Sequence, residues 1–235
     1  MRPAHLLSIV AIVSCLLAGC SGGSSTGSGG SNDADLRPYL AMDLTSGQIT
    51  YRQSPGASDT PDQVILFKQL GTGGTYLATT EVTRGQWQSI MGTTPWSSLP
   101  GAFQSAAGAL APADNLTFAE AQAAATAVAH LSGRRVRLAT AAELASAQDA
   151  GVALSTRITG WNVREANRSG TVAVTAAGAE NGWYGLIGNV REWSSDGQLS
   201  GGGWMDNAAI CPASIDTIGS ERHPLSGVRL AIAYP

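Results

Sequence analysis

Charge is what this chain has least of. Only 13% of its 235 residues are Asp, Glu, Lys or Arg, and the formal net charge is −3. Its lysines and arginines never gather into a run. Nucleic-acid binding needs a basic stripe, so that class is excluded. Cysteine is as scarce: Cys15, Cys20 and Cys211 are all there is. Only Cys211 lies in the body of the chain, so no disulfide framework forms there. A long hydrophobic run is missing as well. The stretch from Leu6 to Leu17 is too short for a permanent bilayer span of ~20 residues. Beyond residue 35 no GxSxG, HExxH or P-loop spacing occurs, which removes three common catalytic classes. Glycine, by contrast, is abundant, with 29 residues. Outside the N-terminal region these glycines sit between short periodic segments, so a loop-rich fold is expected.

The first residues read as an export signal. Arg2 precedes the apolar run of MRPAHLLSIVAIVSCLLAGC. The run ends Leu17-Ala18-Gly19-Cys20, which resembles a bacterial lipobox. That resemblance implies cleavage before Cys20 and lipid on its thiol. SGGSSTGSGGSNDAD follows, a composition that behaves as flexible coil. The expected division is a signal peptide at 1–19, a lipidated Cys20 with a tether at 20–35, and one domain at 36–235. The expected location is the cell envelope, with the membrane as a partner through the anchor. By the same resemblance, Ser21 directs the protein to the outer membrane.

From Leu36 the pattern turns globular. YLAMDL, TSGQ and ITYR predict strand, turn, strand, and QVILFKQL and TYLATT predict two more strands. Three helix starts carry one device. Thr83 with Gln86, Thr117 with Glu120, and Thr140 with Glu143 each fit a capping box, and Gly92, Gly133 and Gly151 follow near the expected ends. Phe118, Ala121, Ala125 and Val128 fall on one helical face, as do Trp87, Ile90 and Met91. After about residue 155 the helical signal fades, and GVRLAIAYP reads as a closing strand. Short helices on small sheets make the class α+β.

Five landmarks occur in order: EVTRGQWQSIMG, RLATAAE, GLIGNVREW, GGGW and GVRLA. Together they resemble the sulfatase-modifying-factor family, which includes the formylglycine-generating enzyme. The resemblance covers roughly residues 80–231 and implies a C-type-lectin-like fold. In the catalytic branch two cysteines after the GGS(Y/W) motif bind copper and oxidise a substrate cysteine. Carried onto this chain, those positions are Asp206 and Cys211. Cu(I) prefers a soft thiolate pair, so copper is not expected. The neighbours of Cys211 are apolar or acidic and raise a thiol pKa, which argues for a buried, unreactive side chain. The alternative is a reactive thiol whose partners come from the fold. The family also holds structural calcium. Val190 and Glu192 match part of one site, in a loop two residues shorter than the family's. Asn162 and Val163 match part of another, with Glu180 in the place of its remaining ligand.

Two functions follow. The first is a non-catalytic binding or display domain, with segment 205–226 as its surface. Asp206, Asn207, Ile210, Ser214, Asp216, Thr217, Ser220, Arg222 and His223 would contact an unidentified protein or small ligand at the envelope. The same segment is the diversified one in the variable proteins of diversity-generating retroelements, which share the fold. The plainer reading is an ordinary surface loop. The second function is a formylglycine-generating enzyme or related copper-dependent thiol oxidase, with Cys211 as its catalytic residue.

Overall fold

A computed structural model describes residues 37–57, 59–149, 170–176, 179, 181–206 and 221–233. The strands are β1 (Tyr39–Asp43), β2 (Ile49–Arg52), β3 (Val64–Leu70), β4 (Thr75–Ala78), β5 (Val136–Leu138), β6 (Arg191–Trp193), β7 (Leu199–Ser200), β8 (Ser226–Val228) and β9 (Leu230–Ala233). The helices are α1 (Arg84–Met91), α2 (Phe118–Ser132) and α3 (Ala141–Asp149). Short 3₁₀ turns fill the stretch between α1 and α2. This is an α+β arrangement, as the sequence pattern predicts.

The larger sheet runs β2-β1-β3-β4-β9-β5, and the pairs are antiparallel. Alternation assigns its two faces. Phe67, Tyr76, Ala78, Leu230 and Ile232 face the main core. Leu77 and Ala231 face the other way, onto Leu144, Ala147, Trp183 and Leu186. The main core also receives one side of α2, through Ala121, Ala124, Ala125 and Val128. These small residues let the helix approach closely, beside Trp87 and Trp193. Both indoles find acceptors: Trp87 Nε1 donates to Thr93 Oγ1 at 3.0 Å and Trp193 Nε1 to the Leu116 carbonyl at 3.1 Å.

The capping boxes at Thr83 and Thr117 form with both reciprocal bonds. Thr140 and Glu143 make the same exchange at 2.9 and 3.1 Å. Gly92 and Gly133 end their helices in the left-handed conformation that favours glycine. Gly151 lies outside the described residues.

One expectation changes. GVRLAIAYP is not a single strand. It splits at Arg229 into β8, in a small sheet of order β7-β6-β8, and β9, in the large one. The reason is the side chain of Arg229, which turns into the interior and binds groups on both sheets. The parallel pairing of β8 with β6 then fixes the C-terminal segment beside GNVREW. Gly227 makes that pairing possible. A Cβ there would stand 2.5 Å from Val190 Cγ2 and 3.0 Å from the Ala113 carbonyl. Gly227→Ala is therefore expected to destabilise the fold by ~1–3 kcal/mol, read as a melting temperature several degrees lower. An unchanged melting temperature would show that Val190 repacks without cost.

Candidate functional site

The site begins at the glycine run 201–203. Gly201 has φ +89° and Gly202 φ +68°, so the chain reverses where side chains would be strained. Gly188 N–H donates to the Gly201 carbonyl at 2.7 Å, and Trp204 N–H to the Asn189 carbonyl at 2.9 Å. Trp204 is buried and meets Phe103 edge to face at 5.7 Å. These contacts deliver Asp206 to Arg191. Arg191 Nε donates to Asp206 Oδ2 at 2.8 Å and Nη2 to Oδ1 at 2.7 Å, a planar two-point grip. Gly203 N–H adds a third bond to Oδ2 at 2.6 Å. Burial alone would raise the Asp206 pKa, but these donors outweigh it and hold the carboxyl below its usual range.

Arg191 also acts through its backbone. Its N–H donates to the Leu225 carbonyl at 2.7 Å. One residue thus fastens both flanks of the segment proposed as a ligand surface. The far flank has further ties. Arg222 donates to the Asn115 carbonyl and to Glu120, the capping residue of α2. His223 Nδ1 accepts from Leu225 N–H at 3.1 Å, and Ser226 Oγ donates to Leu116 O at 2.6 Å. Asp206, Arg222 and His223 are therefore all used within the fold. Asn207, Ile210, Cys211, Ser214, Asp216, Thr217 and Ser220 lie outside the described residues, as do Cys20, Asn162, Val163 and Glu180.

Behind this surface is a fully buried charge cluster that joins three of the landmarks. Arg229 and Glu81 are 0% exposed and Glu192 is 1% exposed. Arg229 Nε donates to Glu192 Oε1 at 2.7 Å, Nη1 to the Ala78 carbonyl at 3.1 Å and Nη2 to the Tyr184 carbonyl at 2.8 Å. Glu81 Oε2 stands 3.9 Å from Nη2, and Glu81 Oε1 accepts from Asn189 Nδ2 at 3.1 Å. Gly185 is required here, because a Cβ would sit 2.6 Å from Glu81 Oε1. Two carboxylate oxygens, Glu81 Oε2 and Glu192 Oε2, have no hydrogen-bond partner among the described residues. Burial, against the pull of Arg229 and with a push from Glu192, drives the Glu81 pKa up to about 8. Burial raises that of Glu192 too.

Calcium at Val190 and Glu192 has to be weighed against this cluster. Calcium wants six to eight oxygens and a surplus of negative charge. Here one oxygen of Glu192 is committed to a guanidinium that already supplies the positive charge. No group of three or more acidic, His or Cys side chains gathers among the described residues. These residues do not fit a calcium ion, and no chemistry is derived through one.

The chain superposes on Treponema denticola variable protein 1 with a TM-score of 0.58, at 19% identity, covering 68% of this chain and 84% of that one. It superposes on PvdO from Pseudomonas aeruginosa with a TM-score of 0.56, at 15% identity, covering 83% of this chain and 91% of that one. Both are C-type-lectin-like folds of the formylglycine-generating-enzyme kind, and at these identities the likeness is one of fold. No family model and no curated protein sequence matches the chain.

Sequence reasoning overlooked Glu81, Asn189, Arg191 and Arg229 as working residues. The signal was there: in a chain this poor in charge, three of these four are ionisable and all lie inside landmark motifs.

The Glu81 carboxyl has a pH consequence. An unfolded glutamate loses its proton near pH 4.5, whereas folded Glu81 keeps it to about 8. Between those values the folded state binds the extra proton, so this group lowers stability as pH rises, by up to ~1.4 kcal/mol per pH unit. Glu81→Gln removes that titration. The variant's melting temperature should fall less than wild type's between pH 5 and 8. Parallel profiles would show that Glu81 is ionised throughout.

Proposed function

We propose that this chain is a non-catalytic binding domain of the cell envelope, anchored through lipid on Cys20. It presents segment 205–226 as its ligand surface. The observation that carries the reading is the double use of Arg191, whose side chain grips Asp206 while its backbone holds Leu225. Fixing both flanks lowers the ordering cost that a ligand-binding segment pays on binding. The same grip argues against oxidase chemistry. Where the catalytic branch would place its first thiolate, this chain has a carboxylate already neutralised by a guanidinium and an amide. A hard, paired carboxylate is a poor ligand for Cu(I). The likeness to a protein named as variable supports, by analogy of fold, the reading of 205–226 as the part that differs among related chains.

Copper binding tests the reading. The chain without its signal, with Cys20→Ser, is titrated with Cu(I) against a competing chelator. It should retain no more copper than the same chain carrying Cys211→Ser, and should consume no oxygen with a thiol peptide. Tight Cu(I) binding that vanishes in Cys211→Ser would reverse the assignment to the oxidase.

The anchor has its own test. In a diderm host, the full-length chain should fractionate with membranes and Cys20→Ser with the soluble fraction. Cys20→Ser remaining in the membrane fraction would remove the anchor from the proposal.

A further inference from the structure

The outer face of the large sheet carries a cavity whose described lining residues all lie outside segment 205–226. The register puts Tyr39, Val64, Leu66 and Thr79 on this face. Asp43 pairs with Val64, Ala41 with Leu66 and Tyr39 with Lys68, and Thr79 N–H donates to the Leu66 carbonyl at 2.7 Å. It is the face opposite Ile65 and Phe67, which fill the main core. The loop that carries Asp59 and the stretch that carries Tyr184 close over it, leaving a cavity of about 280 Å³.

The decisive group is Thr79. Its side chain lines the cavity, and the residue is only 3% exposed. Its N–H and carbonyl are both used, the latter by Tyr184 N–H at 2.7 Å. Its hydroxyl has no hydrogen-bond partner among the described residues. Tyr39, Thr80 and Tyr184 also line the cavity and bring hydroxyl groups to its wall. Charge, on the other hand, is spent. Asp59, an ionisable acid of the wall, binds Arg52 with one oxygen and Gly56 N–H with the other at 2.6 Å. No Lys, Arg or His is among the described lining residues, and the two cations that adjoin the wall, Arg52 and Lys68, are held by Asp59 and by the Asn181 carbonyl.

A wall of this kind rejects phosphates and carboxylates, which would be desolvated without a cation to meet them. Its aliphatic part, with Val64 and Leu66, suits an apolar ring face, while the hydroxyls suit polar groups at the ring edge. The volume admits about one ring. We infer that this cavity binds a small uncharged ring bearing hydroxyl groups. A pyranose and a phenol share that chemistry.

Ligand-observed NMR titration of the Cys20→Ser chain without its signal, with glucose, phenol and benzoate, tests the site. Saturable binding of glucose or of phenol is expected, with none of benzoate. Glucose alone would identify a sugar site and phenol alone an aromatic one. Thr79→Val should weaken that binding about fivefold to tenfold, the loss of one hydrogen bond. Tyr184→Phe should do the same and serves where Thr79→Val does not fold. Three results would overturn the assignment: no saturation by either neutral probe, benzoate binding as well as they do, or full binding in folded hydroxyl-free variants.

Discussion

The guanidinium of Arg229 is the constraint on which the rest of this structure depends. It sits where the last strand leaves one sheet for the other, with no access to solvent. Its donors reach Glu192 on β6, the Ala78 carbonyl at the end of β4 and the Tyr184 and Gly185 carbonyls between them. A buried guanidinium is costly unless every donor is met in good geometry. The only way to meet these is to bring both sheets and the 184–192 loop to one point. The cluster therefore contributes specificity of arrangement more than net stability. Two sheets packed by apolar contact alone could slide; this one arginine fixes their relative register.

The same device is repeated at lower burial around the surface. Arg191 stands two residues before Trp193 and one before Glu192, so neighbouring positions of one strand feed both clusters. Glu192 is drawn inward to Arg229, and Arg191 to Asp206 and the glycine run. Strand alternation does this without further cost, because successive side chains point to opposite faces. The interior cluster thus positions the strand, and the strand positions the clamp on segment 205–226. The contacts at the two ends of the segment are made by Asp206, Arg222 and the Leu225 carbonyl. A fixed base with independent loops is what a recognition scaffold needs.

Local signals carried the reading of the fold a long way. Thr83, Thr117 and Thr140 announced helix starts because a capping box is completed within four residues. YLAMDL and VILFKQL announced strands because alternation is local too. Arg229 broke the last strand because its partners, Glu192 and Ala78, lie 37 and 151 residues away. No window of sequence contains that information. The outer cavity was invisible for a related reason. TYLATT looks like an ordinary strand, and only the register shows Thr79 facing a space rather than a partner. Asp206 was read as a missing thiolate, which was half of its meaning. The other half, its grip by Arg191, is again a contact across the fold.

Scarcity of charge now has a structural explanation that bears on recognition. Arginines and carboxylates are largely spent on one another: Arg84 on Asp114, Arg137 on Glu143, Arg191 on Asp206, Arg222 on Glu120 and Arg229 on Glu192. Pairs of this kind cancel at short range and leave little field to steer a charged ligand from a distance. On the proposed reading, a ligand of this scaffold is selected at contact, by shape, apolar area and hydroxyl or amide groups. Both surfaces described above meet that condition. Asp206 and Arg222, at the flanks of segment 205–226, are tied into the fold, and the outer cavity offers hydroxyls beside an acid, Asp59, already engaged. Charges used as internal fasteners are charges withdrawn from recognition.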